Sequence, residues 1–437
     1  MNSLEADILI RGCTILPMDG KLVIDKGLIV IENDRISYVG KVAGAPKIRA
    51  ENVIEAHGKV AVPGLVNCHT HAAMTLLRGI GEDQDLKKWL NETIWPLEAK
   101  LKPSDIYDGA LLGCLEMIKS GTTCFADMYF NEDATAKAVE ETGLRAVLAP
   151  GILEAGNRER GEKYLKEGIK TAKKYHGSAN GRISIRLGSH ATYSCSPDLL
   201  RRVREAASAL NVGIHMHIAE SKEMVKLVKE TYGLTPVELL DSIGFLKPDV
   251  LAAHCVYLSE RERRLMAKHD VKVAYNPVAN MKIALGIPKI KDFLDLGVTV
   301  GIGTDGPASN NTLDMLESAK FAALLQKVHY LDPTVLPAQQ VLEMATIRGA
   351  EALGLDSDIG SLETGKKADI VLINFDKPHL TPTHDPYANI VYSAHGSDVE
   401  AVIVDGTILM EGGEVKTVDA EGVMRRAHRT ALDLVER

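Results

Sequence analysis

The sequence predicts an α/β protein: a (β/α)8 barrel with a small β-sandwich built from both chain ends. Three observations predict it. Short apolar runs alternate with longer helical patterns from residue 62 to about 360. Strand-like alternation without helical period fills residues 5–60 and returns after Gly360. Histidines and acidic residues recur just where the central apolar runs end, the face on which barrels assemble active sites.

At the N-terminal end, Asp7–Ile15 alternates, and Gly27–Glu32 and Arg35–Val39 flank an Asn33-Asp34 turn, a hairpin signal. Asn52–Ala56 closes the run. Eight central strands follow: Leu65–His69, Thr122–Asp127, Arg145–Ile152, Ile183–His190, Gly213–Ala219, Val250–Val256, Lys272–Asn276 and Thr299–Thr304. Helical patterns lie between them, and 337–353 reads as a helical cap on the barrel. An open doubly wound sheet is the alternative, because strand order is not encoded in spacing. Ala368–Phe375 and Val399–Asp405 restore strand texture, and Ala420–Glu436 has amphipathic helical spacing. The expected organisation is residues 1–61 and 361–437 for the sandwich, the latter including the terminal helix, and 62–360 for the barrel.

Composition narrows the function classes. The chain has 437 residues, 45% hydrophobic and 25% charged, with a net charge of -8, which excludes disorder as its main state and bulk attraction to nucleic acid or anionic membranes. No apolar run approaches the ~20 residues of a spanning helix. The acidic start MNSLEADILI does not resemble a signal peptide, and six cysteines without CxxC spacing suit reduced thiols, so a cytoplasmic enzyme is expected. No GxGxxG opens a helix after a strand, and GxxxxGK[ST] and GxSxG are absent, which argues against nucleotide-phosphate cradling and a serine hydrolase.

The chemistry lies in the histidines. His69-Thr70-His71 ends the first central strand, where alternation points residues i and i+2 to one face and toward one metal. Chance alone yields about 0.4 HxH pairs in such a chain, and a second pair, His215-Met216-His217, is present. Position raises the weight of these residues. His69, His71, His190, His217, His254 and Asp305 all fall at C-terminal strand ends, and Glu220 lies just past His217. Three imidazoles and a carboxylate suit Zn²⁺ with a position left for water, and a carboxylate beside the ion suits proton transfer. Glu98, in Trp95-Pro96-Leu97-Glu98, has the chemistry to bind sugar hydroxyls, although an exposed helix Glu is the default. Arg158 and Arg160 lie in a charged loop after the third strand, where most arginines are solvated.

Pro63-Gly64-Leu65-Val66-Asn67-Cys68-His69-Thr70-His71 resembles the opening motif of the amidohydrolase superfamily, and His217-Ile218-Ala219-Glu220, Ala253-His254 and Gly303-Thr304-Asp305 match its later motifs in order. Within it, residues 69–101, 189–200 and 303–315 most resemble the 5-methylthioadenosine/S-adenosylhomocysteine deaminase group. The resemblance spans the whole chain. It implies one Zn²⁺ per subunit (Fe²⁺ or Mn²⁺ being alternatives) held by His69, His71, His217 and Asp305. It implies Glu220 as proton shuttle, with His254 and Asp305 assisting the attacking water. Glu98 and His190 contact the nucleoside, and Arg160, or in its place Arg158, meets the substrate tail. The implied partner is a small-molecule nucleoside, and a homo-oligomer is expected. The fourth strand carries no lysine to be carboxylated, which disfavours the binuclear branch. Ala279 stands where the deaminase group has Ser. Guanine deaminase or a triazine aminohydrolase or chlorohydrolase is the alternative activity, and a barrel without catalysis the alternative class.

Overall fold

The computed structural model describes residues 4–20, 22–43, 45 and 47–437. The first three residues of the stretch read against a signal peptide therefore lie outside the described residues.

Eight parallel strands form the barrel: β6 (Leu65–Thr70), β7 (Thr122–Tyr129), β8 (Arg145–Ile152), β9 (Ile183–Ala191), β10 (Gly213–Ile218), β11 (Val250–His254), β12 (Lys272–Tyr275) and β13 (Val300–Ile302). Each pairs in parallel with its sequence neighbour. The first and last strands are closed at their C-terminal ends. The Asp305 N–H donates to the His69 carbonyl at 2.9 Å, and the Asn67 side chain bridges to Thr304 at 2.7 Å. That closure rules out the open doubly wound sheet. Seven of the eight strands are buried along all or all but one of their residues, so they read as continuous apolar runs rather than alternating ones. Helices Ala338–Met344 and Ile347–Leu353 cap the far end, where the Val66 N–H donates to the Ala345 carbonyl.

The remaining strands are β1 (Leu4–Ile15), β2 (Ile24–Glu32), β3 (Arg35–Lys41), β4 (Ile48–Glu55) and β5 (Lys59–Pro63), with β14 (Ile370–Asn374), β15 (Val399–Val404), β16 (Thr407–Glu411) and β17 (Glu414–Val415). They are hydrogen-bonded as one mixed sheet in the order β17-β16-β15-β14-β5-β1-β2-β3, with β4 also on β1. The two chain ends meet at the antiparallel β5–β14 pair, Val62 opposite Val371. The sheet closes over one apolar core that contains Ile10, Ile29, Ile36, Ile54, Leu372 and Ile403. The Asn33-Asp34 turn is present, with Asn33 at φ 54°. β5 runs across the expected boundary at residues 61 and 62. The buried Arg145 guanidinium of β8 fastens sheet to barrel, donating to Asp369 at 3.0 and 3.1 Å and to Asp405 at 3.1 Å. The terminal helix Ala420–Glu436 lies along Pro103–Lys119 on the barrel's outer layer, where Thr430 donates to Asp108.

Candidate active site

The C-terminal strand ends bring five of the expected side chains into one cluster. His71 Nε2 lies 3.2 Å from Asp305 Oδ1, and His69 Nε2 lies 3.6 Å from the same oxygen. The His217 ring centroid stands 4.9 Å from that of His69 and 5.5 Å from that of His71. One ring nitrogen from each of these three histidines lies within 4.8 Å of the others. His254 Nε2 is 4.0 Å from Asp305 Oδ2 and 3.7 Å from Glu220 Oε1, and its ring stacks on His217.

The backbone bends sharply to aim these groups. Ala219, His254, Cys255 and Asp305 adopt left-handed φ values of 50°, 72°, 53° and 64°. Each costs on the order of 1–3 kcal/mol for a residue other than Gly, and neighbouring strands hold the bends through Cys255 N–H to Ile218 and Asp305 N–H to His69. Two glycines of the Gly303-Thr304-Asp305-Gly306 run permit the crowding. A Cβ on Gly303 would strike the Asn276 side chain and stand 2.9 Å from His69 Cβ, and one on Gly306 would stand 3.1 Å from His71 Cβ.

Hydrogen bonds orient the rings. His71 Nδ1–H donates to the Met128 carbonyl at 2.6 Å and His217 Nδ1–H to the His190 carbonyl at 2.9 Å, which in the neutral ring leaves each Nε2 with a lone pair. His69 Nδ1 bonds His215 Nε2 at 2.8 Å, and His69 Nε2, fully buried, has no hydrogen-bond partner among the described residues. Burial lowers the His69 pKa to about 4, against the pull of Asp305. Burial also opposes charge on His71, yet the Asp305 carboxylate raises it to about 9. Burial would raise Asp305 too, but His69 and His71 hold it well below the usual carboxylate range.

A cavity opens above the cluster. Glu220, His190, Glu98, His71, His217, His254 and Asp305 all line it, and His69 lies beneath its floor. Burial raises the Glu220 carboxyl above its ordinary range, a shift that suits a group exchanging protons near neutral pH. Glu98 accepts a 2.7 Å bond from the Tyr129 hydroxyl, and burial pushes its pKa up to about 7. His190 bonds Ser194 Oγ through Nδ1 at 2.7 Å, and burial, then the nearby His71, lower it to about 4.

The two arginines, expected in a loop, instead occupy the first turn of the helix Arg158–Tyr175, outside this cluster. Arg160 lines a wider groove that continues from the cavity past Trp95, Glu98, Phe130 and Leu153, and its Nε and Nη2 donate to the Glu154 and Ala155 carbonyls. Arg158 is exposed, pairs with Asp198 at 3.0 Å, and lines neither space.

Sequence reasoning missed the aromatic wall. Both tryptophans of the chain, Trp89 and Trp95, line the cavity with Tyr129, Phe130 and Tyr193. Trp89–Ile94 is a π-helical turn, a local widening that often marks functional sites and has no 3.6-residue signature. Concentration of both tryptophans within seven residues was the available signal. Sequence reasoning also gave no separate role to His215, which sits directly behind His69.

Comparison with known proteins now adds to the geometry. The amidohydrolase family model matches residues 60–409. The 5-methylthioadenosine/S-adenosylhomocysteine deaminase of Moorella thermoacetica is 52% identical over 427 residues, 97% of this chain and 99% of that protein. The 5'-deoxyadenosine deaminase of Methanosarcina acetivorans is 49% identical over 435 residues, 99% of each chain. The crystal structure of an adenosine deaminase from Xanthomonas campestris with bound zinc has a TM-score of 0.96 at 30% identity and covers 100% of both chains. By the match of its barrel and its flanking strands, the chain belongs to the amidohydrolase family.

Proposed function

We propose that this protein is a metal-dependent aminohydrolase that deaminates 5′-substituted adenosines, turning the 6-amino group of adenine into a 6-oxo group and releasing ammonia. The candidate substrates are 5′-methylthioadenosine, S-adenosylhomocysteine, 5′-deoxyadenosine and adenosine. The observation that carries the reading is a protonatable carboxyl, Glu220, 3.7 Å from His254 and beside the His69–His71–His217–Asp305 cluster, at the floor of an aromatic-walled cavity. The names of the relatives, at about half identity over nearly the whole chain, support the nucleoside class.

The donor set fits one Zn²⁺-class ion. Donors 2.0–2.1 Å from a tetrahedral ion stand about 3.3 Å apart, and the 3.2 and 3.6 Å separations from Asp305 bracket that value. The unpartnered His69 Nε2 and the Nε2 lone pairs of His71 and His217 complete the set. When bound, the ion supplies Lewis acidity that makes water nucleophilic near neutral pH.

The chain's own residues do the rest. Glu220 takes one proton from the attacking water and delivers it to N1 of the adenine ring, which leaves C6 open to attack. Asp305 and His254 orient that water and assist its deprotonation. Its second proton departs with the 6-amino group as ammonia. Glu98 and His190 hold the nucleoside, and the aromatic wall excludes bulk water from the ring. Arg160 meets the 5′ substituent in the adjoining groove.

The same reading expects a cytoplasmic homo-oligomer, and it retains the division at residues 61/62 and 360/361. Among the described residues no helix is long and apolar enough to cross a membrane.

The test is ammonia release from the four nucleosides, with guanine and an amino-triazine alongside. Turnover of at least one adenosine, with none of guanine or triazine, is expected. Turnover of guanine or triazine with every adenosine inert would replace this reading with the sister activity.

A further inference from the structure

The reaction leaves one buried histidine unused. His215 sits on β10 two residues before His217, so the strand period points both rings to the barrel interior, His215 one pleat deeper. It is fully buried. Its ring stands edge-on to that of His69, with centroids 4.9 Å apart and planes at 74°. Among the described residues, the 2.8 Å contact between His215 Nε2 and His69 Nδ1 is the only hydrogen bond either ring makes: His69 Nε2 and His215 Nδ1 have no partner there.

One proton therefore lies between the two rings, and it has two places. If His215 Nε2 carries it, His69 must carry its own proton on Nε2, facing Asp305, and that nitrogen offers no lone pair. If His69 Nδ1 carries it and donates to His215, His69 Nε2 is a free donor atom facing the cluster. His71 and His217 have no such choice, because backbone carbonyls accept their Nδ1 protons. A carbonyl only accepts, so it enforces the ligand tautomer. For His69 that task falls to a side chain.

We infer that His215 is the positioning residue that accepts the His69 Nδ1 proton and so fixes the ring and tautomer in which His69 Nε2 serves the metal cluster. The His-Met-His run of β10 is thereby divided: His217 faces the cluster itself, and His215 acts through His69. The inference rests on the metal-site reading above, and the experiment separates the two.

Zn²⁺ affinity is measured by chelator competition for the wild-type protein and for His215→Gln and His215→Met, with the Tm of each metal-free protein recorded. The two replacements match in volume, but only Gln offers an oxygen where His215 Nε2 accepts. Outer partners of metal-binding histidines are worth about 10–100-fold in affinity. His215→Met should weaken Zn²⁺ binding by about that factor at little change in metal-free Tm, and His215→Gln should recover most of it. Wild-type affinity in His215→Met, or equal weakening in both variants, would overturn the inference and leave His215 a space-filling residue. If His215→Met does not fold, His215→Gln decides alone: near wild-type affinity supports the role, and a loss of about 10-fold or more contradicts it. A wild-type protein that binds no Zn²⁺ would instead remove the metal-site reading.

Discussion

The strand-end cluster and the helix start after β8 both carry side chains to which the proposed function gives a role, but they are built in opposite ways. His69, His217, His254 and Asp305 are buried, their rings and carboxylate held by backbone or buried partners, and strained φ values are overcome by hydrogen bonds between strands. Arg158 and Arg160 lie in the first turn of the helix Arg158–Tyr175, where Arg158 is solvated and Arg160 is held by carbonyls of the segment before the helix. Rigid strand ends suit bond-making chemistry, which fails when atoms shift by about an ångström. The helix start suits discrimination among 5′ substituents, where a contact can be absent without cost to the reaction.

Substitutions can break that contrast. The largest effect is expected from His217→Ala, which removes one donor from the buried cluster: metal content and turnover should fall together, checked by elemental analysis and ammonia release on one preparation. Glu220→Gln keeps the shape and removes the base. It should retain metal while kcat falls by about 10²-fold or more. Near-normal turnover would take Glu220 out of the mechanism.

The smallest effect belongs to the helix start. Arg160→Ala should lower kcat/KM for S-adenosylhomocysteine by ~1.5–3 kcal/mol, the range for hydrogen bonds to a charged group. Methylthioadenosine has no carboxylate and should be spared, and Arg158→Ala should leave both substrates unchanged. Equal losses on the two nucleosides would assign Arg160 to the shared adenosine part or to the fold of the helix start.

The same contrast explains what was legible in the sequence. The barrel strands could be read because they are short apolar runs, and the cluster because histidine or aspartate ends five of them. β13 stops at Ile302, short of the expected Thr304, because the chain already bends there toward the left-handed Asp305. The sheet strands of the two chain ends were visible by alternation, but their joining at β5 and β14 is a long-range pairing with no local signal. The terminal helix showed its apolar face but not its partner, the outer helix Pro103–Lys119. The π-helical turn bearing Trp89 was invisible to a 3.6-residue pattern, and the tie of Arg160 to the Glu154 and Ala155 carbonyls depends on the conformation of the segment before its helix, which residue types do not specify.

The central claim is that one ion held by His69, His71, His217 and Asp305 enables Glu220 to deaminate an adenosine. Its most direct test is a titration of chelated, metal-free protein with Zn²⁺, with bound metal and ammonia release from 5′-methylthioadenosine followed in the same samples. The account predicts that turnover starts from nothing, rises in proportion to bound metal and levels off at one ion per chain. Full turnover by the metal-free protein, or saturation only at two ions per chain, would contradict it.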